Sequence, residues 1–292
     1  MAATIGILSF SLAAVIGCSS HAAGTVPDIV LSNGVAMPIM AFAAQVWDAD
    51  TCHNATAAAL SAGFRFIWSS ALVGPKCQQA QHDALLSAKL GRNSLFIAGT
   101  VNTQNCKSAA DCYENTIKGA KEQMEILSLH GARLDMLMLD YPSSAGCDAI
   151  SGQWRAFEDL YRNSTVRSVA VSNFSPEQLK CVQEQHFTLP VVNQMPFFVG
   201  HGRDTVVADN AKYNITVQAY SPLDAGRLVR DSLCASIGTR YGKSAVQVAL
   251  RWIVQHEVAI ATQSTSLQHL TKDLDIFDFQ LSKEEMMQLD AQ

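Results

Sequence analysis

The sequence predicts an α/β fold, a closed (β/α)₈ barrel of the TIM type with an N-terminal β-hairpin cap. Short runs that are apolar throughout alternate with amphipathic stretches, which is typical of parallel strands buried on both faces. The alternation repeats about every 30 residues, and eight such units can be counted along the chain. No glycine-rich GxGxxG motif follows the first unit, which argues against an open dinucleotide-binding sheet.

The elements follow in order from the N-terminal side. Val30–Val35 contains an Asn-Gly pair, which is typical of a tight hairpin turn, and we expect this hairpin to cover the floor of the barrel. The next run, GVAMPIMAF, is predicted to be the first barrel strand. Helical patterns follow the strands, for example over Asp111–Leu129 and Ser175–Glu184. The other predicted strands are FRFIW, SLFIAGTV, LDMLMLD, VRSVAVSNF, LPVVNQM, ITVQAYSPL and VAIATQS.

The composition narrows the functional class. Of the 292 residues, 48% are hydrophobic and 16% are charged, which predicts a folded chain with a large core and argues against disorder. The net charge of -5 and the absence of a basic run predict no nucleic-acid partner and no strong attraction to an anionic membrane surface. We therefore expect a protein partner or a small-molecule ligand.

The N-terminal residues 1–23 resemble a secretory signal peptide. They contain no charged side chain, a short apolar run around Ile5–Gly17, and small residues at Ala22 and Ala23. This predicts a secreted or lumenal protein with one barrel domain over residues 24–292. Two alternatives are an uncleaved membrane anchor, because a basic N-terminal residue is missing, and a lipoprotein signal ending at Cys18.

Several segments, in this order, resemble those of the aldo-keto reductases. This family folds as a barrel and reduces carbonyl groups with NADPH, so the resemblance implies both the fold and that activity. It covers nearly the whole chain from residue 30 onward. The matching segments are LSNGVAMP, AGFRFI, VRSVAVSNFSPEQL, VVNQ, QAYSPL, SAVQVALRWIV and LDIFDFQLSKEEMMQLD.

The resemblance also implies where catalysis would take place, and there the residues differ. The family uses a Tyr as proton donor, a Lys paired with an Asp to lower the pKa of that Tyr, and a His to orient the carbonyl. The Asp position is Trp68 and the Tyr position is Val73. The Lys position is Thr100 and the His position is Asp140. We therefore expect no catalytic residue at these four positions.

The resemblance implies a cofactor site that is only partly kept. At the nicotinamide end the residues match, but Ala41-Phe42-Ala43 replaces an early Gly-x-Gly. At the 2'-phosphate end a Lys, an Arg and an Asn have become Gln263, His269 and Asp273, which cannot replace cations that bind phosphate. Weak NADP(H) binding is the expectation, and an alternative is that the matching residues only satisfy hydrogen bonds at strand ends. The matching residues are Ser172, Asn173, Gln194, Tyr220, Ser221, Leu223 and Ser264.

Cysteines and glycosylation sequons agree with secretion. On the predicted barrel the early cysteines lie near the C-terminal ends of the strands, which predicts Cys52 bonded to Cys77 and Cys147 bonded to Cys106 or Cys112. Free buried thiols are the alternative. Of four Asn-x-Ser/Thr sequons, we expect Asn54 and Asn163 to be exposed, and Asn173 and Asn214 not to be. The eight histidines lack the spacing of metal ligands, so we expect no metal site.

Three functional hypotheses remain. The first is a secreted pseudoenzyme that acts as a binding or structural component, with an unknown protein partner or a small apolar ligand. The second is a divergent NADP(H)-dependent oxidoreductase that uses Asp140 or a water as its proton source. The third is a non-catalytic nicotinamide nucleotide binder.

Overall fold

A closed barrel of eight parallel strands forms the centre of the computed structural model, which describes residues 26–185, 188–201 and 205–292. A two-stranded antiparallel sheet precedes the barrel, so the predicted fold class and its hairpin cap are confirmed. The strands are β1 (Asp28–Val30), β2 (Ala36–Pro38), β3 (Met40–Ala43), β4 (Phe66–Ser69), β5 (Phe96–Val101), β6 (Met136–Leu139), β7 (Val169–Ser172), β8 (Val192–Pro196), β9 (Thr216–Tyr220) and β10 (Ala259–Thr262).

Helices cover the outside of the barrel. Each βα connection begins at the C-terminal end of a strand, so these loops gather at one end of the barrel, called here the mouth. The helices are α1 (Ala49–Ala62), α2 (Pro75–Ser87), α3 (Ala109–Leu127), α4 (Cys147–Arg162), α5 (Pro176–Gln185), α6 (Val206–Ala211), α7 (Ser232–Tyr241), α8 (Ala245–Gln255), α9 (Leu267–Leu274) and α10 (Lys283–Asp290).

The strand order around the barrel is β10-β3-β4-β5-β6-β7-β8-β9, closed between β9 and β10. Successive residues of a strand point to opposite faces, so each strand sends every second side chain into the lumen. The registers pair Trp68 with Ala98 and Thr100 with Met138. Asp140 lies two residues after Met138 and therefore points to the same side as Trp68.

The N-terminal hairpin closes the floor, as predicted, but its turn differs from the prediction. Leu31 O accepts from Gly34 N at 2.8 Å, so Ser32 and Asn33 are the central turn residues and Gly34 follows them with a φ of 80°. The Asn-Gly pair is thus shifted by one position: Leu31 N donates to Val35 O at 2.9 Å, which leaves a three-residue loop, and in such loops the left-handed residue follows the turn. Asn33 Nδ2 donates to Arg167 O at the base of β7, which attaches the hairpin to the floor.

An ion-pair cluster at the floor joins the segments at the starts of β5, β6 and β7. Asp135, fully buried, is contacted by the guanidinium groups of Arg92 and Arg167 and accepts from the backbone N–H of Ile97. Its acceptor capacity is therefore used by two cations and one amide, which a buried carboxylate requires.

Three disulfides lie near the mouth and correct part of the prediction. The Cys52–Cys77 bond is present as predicted and joins α1 to α2. The prediction for Cys147 was wrong: it bonds Cys181 of α5, while Cys106 bonds Cys112 within the connection to α3. Sequence spacing could not show that α4 and α5 bring Cys147 and Cys181 together. Cys234 is a buried free thiol.

Three of the four sequons are exposed. Asn54 and Asn163 are exposed as expected, and Asn173 is partly buried. Asn214 was expected to be covered, but it is exposed in the turn before β9 with a φ of 56°. The expectation was wrong because Asn214 is the last residue of the turn, and the buried segment begins at Ile215.

The predicted signal peptide, residues 1–23 with Cys18, lies outside the described residues. Among the residues that are described, no helix is both long and apolar enough to cross a membrane.

Candidate functional site

The Trp68 indole occupies the lumen just below the mouth. Its side chain is almost fully buried, with 3% exposure for the residue, and Nε1 donates to Gln218 Oε1 at 2.7 Å. Trp68 is on β4 and Gln218 on β9, and two strands, β10 and β3, separate them around the wall. A hydrogen bond between these strands must cross the lumen, so the indole fills the space where the resemblance places the acid of a catalytic ion pair.

Gln218 joins this contact to the opposite wall. Its Oε1 also accepts from Gln194 Nε2 at 2.8 Å, and two donors on one oxygen set the orientation of the amide. Gln218 Nε2 is consequently buried, and no described residue is its hydrogen-bond partner. On the outer side, Gln81 Nε2 donates to Trp68 O at 3.2 Å, so Trp68 is held by both backbone and side chain.

Val73 and Thr100 support the loop after β4. Val73 ends a 3₁₀ turn, Ala71–Val73, and packs beside the Cys52–Cys77 bond. Thr100 is buried, and its Oγ1 accepts from Ala71 N at 2.9 Å. The two side chains therefore hold a loop in place at the positions to which the resemblance assigns the family's Tyr and Lys.

Asp140 is a buried carboxylate at the mouth. The residue is 7% exposed, and Oδ2 has no hydrogen-bond partner among the described residues. Desolvation raises the pKa of Asp140 from 3.8 to about 6, and no positive charge in the described part of the chain contributes to lower it. The carboxylate is therefore mostly ionised at neutral pH, and it has no counter-ion among these residues.

The polar residues that match the nicotinamide wall bond mainly to one another. Ser172 Oγ donates to Gln194 O at 3.1 Å, and Asn173 Nδ2 donates to Ser172 Oγ at 2.9 Å. Tyr220 OH donates to Asn173 Oδ1 at 3.0 Å. These bonds support the interpretation that the residues satisfy strand-end groups. Ser221 is exposed with a φ of 50°, and Leu223 packs on the core.

The 2'-phosphate end does not fit the group it would have to hold. Gln263 and His269 are exposed, and Ser264 Oγ accepts from Ser266 N at 3.1 Å within its own loop. Asp273 is buried, with 4% exposure, and accepts from Thr262 Oγ1 at 3.1 Å. A buried carboxyl repels a phosphate when ionised, so this end offers no cationic contact from these positions.

Asp273 makes stability depend on pH. Burial raises its pKa from 3.8 to about 7, and the Thr262 hydroxyl only partly opposes the shift. Between these values the folded protein keeps a proton that the unfolded chain has released, so raising the pH favours unfolding. We expect Asp273→Asn to raise the melting temperature by a few degrees at about pH 8.5 and by a smaller amount at about pH 5.

Thermal unfolding of wild type, Asp273→Asn and an Asp83→Asn control measures this effect. Asp83 is exposed on α2, so the control makes the same chemical change without removing a buried carboxyl. An equal shift for Asp273→Asn at both pH values would contradict the assigned cause.

Two mouth residues were not singled out from the sequence. Gln218 bridges Trp68 and Gln194, and Tyr141 lies within electrostatic range of Asp140, whose charge contributes to raising the pKa of Tyr141 after burial. The sequence could have indicated Gln218, because it is two residues before Tyr220 and side chains two apart on a strand lie on the same face.

In the described part of the chain, no three His, Cys, Asp or Glu side chains gather in a way that could hold a metal ion.

Comparisons with known proteins agree with this architecture. The Aldo/keto reductase family profile matches residues 39–292. The chain is 32% identical over 269 residues to a glyoxal reductase of Bacillus subtilis strain 168, covering 90% of this chain and 91% of that protein.

Solved structures show the same fold. An aldo/keto reductase from Brucella melitensis superposes with a TM-score of 0.83 at 25% identity, over 91% of this chain and 99% of its own. An aldo-keto reductase from Bombyx mori, solved in complex with NADP, gives a TM-score of 0.79 at 23% identity over 91% and 92% of the two chains.

Proposed function

This chain belongs to the aldo/keto reductase family, and we propose that it is a binding protein that keeps the reductase barrel without carbonyl reductase activity. In this proposal the mouth holds a small ligand, and no residue of the chain transfers a proton to a carbonyl. The alternative use of the barrel, as a structural component for a protein partner, follows from the same loss of chemistry.

The observation that carries the proposal is the position of Trp68. Its indole crosses the lumen and donates to Gln218 at 2.7 Å, where the resemblance requires a carboxylate paired with a lysine. Thr100 and Val73 complete this replacement, because neither side chain can exchange a proton at neutral pH. Losing a positioned proton donor costs about 10² to 10⁴ in rate.

Asp140 adds an electrostatic argument. Carbonyl reduction develops negative charge on oxygen, and catalysis needs donors or positive charge at that point. A carboxylate about 4 Å away would instead oppose the charge by about 4 kcal/mol at an effective dielectric constant near 20. The proposed loss of activity thus has two independent causes.

We also propose that the chain is a secreted or lumenal glycoprotein. The disulfides Cys52–Cys77, Cys106–Cys112 and Cys147–Cys181 support this, since such bonds persist in oxidising compartments. Asn54, Asn163 and Asn214 offer exposed sequons for glycans. Cleavage after residue 23 would be read from the N-terminal sequence of protein purified from culture medium.

The activity test pairs binding with turnover. NADPH fluorescence is titrated with the purified protein, and NADPH oxidation is followed with glyoxal and simple aldehydes, with the Bacillus subtilis glyoxal reductase as positive control. We expect no oxidation above the protein-free rate and weak or no fluorescence change. Aldehyde-dependent oxidation that scales with protein concentration would overturn the proposal.

One observation favours a second candidate, a divergent NADP(H)-dependent oxidoreductase. Because the pKa of Asp140 is about 6, a fraction of the carboxyl is protonated near neutral pH and could donate to a carbonyl. That enzyme would show turnover that falls as pH rises through about 6 and disappears in Asp140→Asn. NADPH binding without turnover would instead support a non-catalytic nucleotide binder.

A further inference from the structure

The mouth combines an unpaired buried charge with aromatic rings. Asp140 has no ion pair or side-chain hydrogen bond among the described residues, and its Oδ2 is sealed from solvent. An uncompensated buried charge is costly, so proteins normally supply a partner for it. Asp135 at the floor of the same barrel has two arginines for this purpose. The contrast shows that Asp140 lacks what this chain provides elsewhere.

Two tyrosines border this carboxylate. The charge of Asp140 contributes, after burial, to raising the pKa of both Tyr141 and Tyr220, so both hydroxyls lie within its electrostatic range. Both residues are only partly buried: Tyr141 follows Asp140 in the chain, and Tyr220 OH donates to Asn173 Oδ1, whose Nδ2 donates to Asp140 O at 3.4 Å. Aromatic rings beside a carboxylate form a setting in which ammonium ions are bound, through charge and through the ring faces.

Entry past Tyr220 needs little rearrangement. Its hydroxyl makes one hydrogen bond, to Asn173 Oδ1 at 3.0 Å, and a neutral hydrogen bond contributes only about 1 kcal/mol. Asn173 keeps its bond to Ser172 Oγ if Tyr220 turns aside. The Tyr220 side chain can therefore turn aside without a change in the barrel wall.

Apolar residues surround the same end of the barrel. Val46 and Leu72 are 77% and 53% exposed in the loops after β3 and β4, and Val229 and Leu267 are each 49% exposed after β9 and β10. These four strands are consecutive around the barrel. The exposed aliphatic side chains thus lie along one arc of the mouth, across the barrel from Asp140 after β6, on the side toward which the hydrocarbon part of a ligand held at Asp140 would extend.

We propose that the mouth binds a small organic ammonium ion, with its charged group on Asp140, between Tyr141 and Tyr220, and its hydrocarbon part toward the aliphatic arc. This inference rests on the proposed function, because it names the ligand class of a barrel that does not reduce carbonyls. Opposite charge on ligand and carboxylate is the recognition element. A neutral ligand of the same shape lacks it.

The test uses benzylamine, benzyl alcohol and benzoate as cationic, neutral and anionic probes of similar shape. Isothermal titration of the full-length protein near neutral pH is expected to give benzylamine at least about tenfold tighter binding than benzyl alcohol, and weaker binding still for benzoate. Asp140→Asn is expected to remove the tenfold preference. The matched control Asp148→Asn, an exposed acid at the start of α4, is expected to keep it.

Three results would overturn the ammonium site. These are equal binding of benzylamine and benzyl alcohol, an unchanged preference in Asp140→Asn, and no binding of any probe. Thermal unfolding shows whether Asp140→Asn is folded, and removal of the unpaired charge is expected not to lower its melting temperature near neutral pH. The NADPH turnover assay is read separately, so a reductase that prefers amines would overturn the proposed function alone.

Discussion

Replacing Trp68 with alanine is expected to destabilise the barrel by about 3–5 kcal/mol, because a buried indole leaves a cavity that a closed barrel cannot collapse to fill. Trp68 packs against the Phe66 ring, at 5.6 Å between ring centroids, and donates the hydrogen bond to Gln218 across the lumen. The variant loses both the packing and that bond. Urea unfolding of wild type and variant measures the difference.

The cavity itself offers a sharper readout. Removing the indole opens apolar space between Phe66 and the Gln218 amide, so added indole is expected to raise the melting temperature of Trp68→Ala and not that of wild type. Trp68→Phe is the matched control, since it keeps most of the volume and loses only the N–H donor. It is expected to lose about 0.5–1.5 kcal/mol with the hydrogen bond from Trp68, since Gln218 Oε1 still accepts from Gln194, and to respond weakly to indole. A Trp68→Ala variant as stable as wild type would show that the indole does not fill the lumen.

Replacing Gly152 with alanine is expected to cost about 3 kcal/mol or more, although glycine to alanine in a helix ordinarily gains about 0.5–1 kcal/mol. Gly152 lies within α4, and a Cβ added there would overlap the backbone carbonyl of Ala109 at the start of α3. Backbone cannot rotate away as a side chain can, so the two helices must separate.

Separation of α3 and α4 is also expected to displace the loops after β5 and β6 at the mouth. The next residue, Gln153, accepts from Ser143 N at 2.7 Å and donates to Thr103 Oγ1 at 3.0 Å, which ties together the loops after β6 and β5. Tyr141 lies in the first of these loops. Gly91→Ala is the control, since Gly91 is exposed with a φ of -61° and has open space around its Cβ position. Denaturant unfolding should leave Gly91→Ala near wild type, and an equally stable Gly152→Ala would contradict the close helix contact.

Much of the site could be predicted because, in a parallel barrel, the place of a residue along its strand shows at which end of the barrel it lies. Once eight strand-helix units are recognised, the residues after each strand must meet at one end, and Trp68, Thr100 and Asp140 were placed there from their strands alone. The identity of each replacement is also a property of the sequence. What each residue contacts is not, because Gln218 is 150 positions from Trp68 and no local pattern pairs them.

The errors in prediction have two physical causes. The partner of Cys147 depends on how α4 packs beside α5, which no local pattern shows. Asn214 was expected to be covered, and is exposed, because the buried segment begins one residue later, at Ile215.

The sequence by itself determined the barrel and its floor hairpin, since apolar periodicity is a local property of the chain. The resemblance adds the expectation that four substituted residues stand at the family's catalytic positions. The tertiary structure alone decided that Trp68 spans the lumen and that Asp140 is buried without a partner. Burial and hydrogen bonding depend on which segments surround a group, and these surroundings exist only when β4, β6 and β9 close around a common axis.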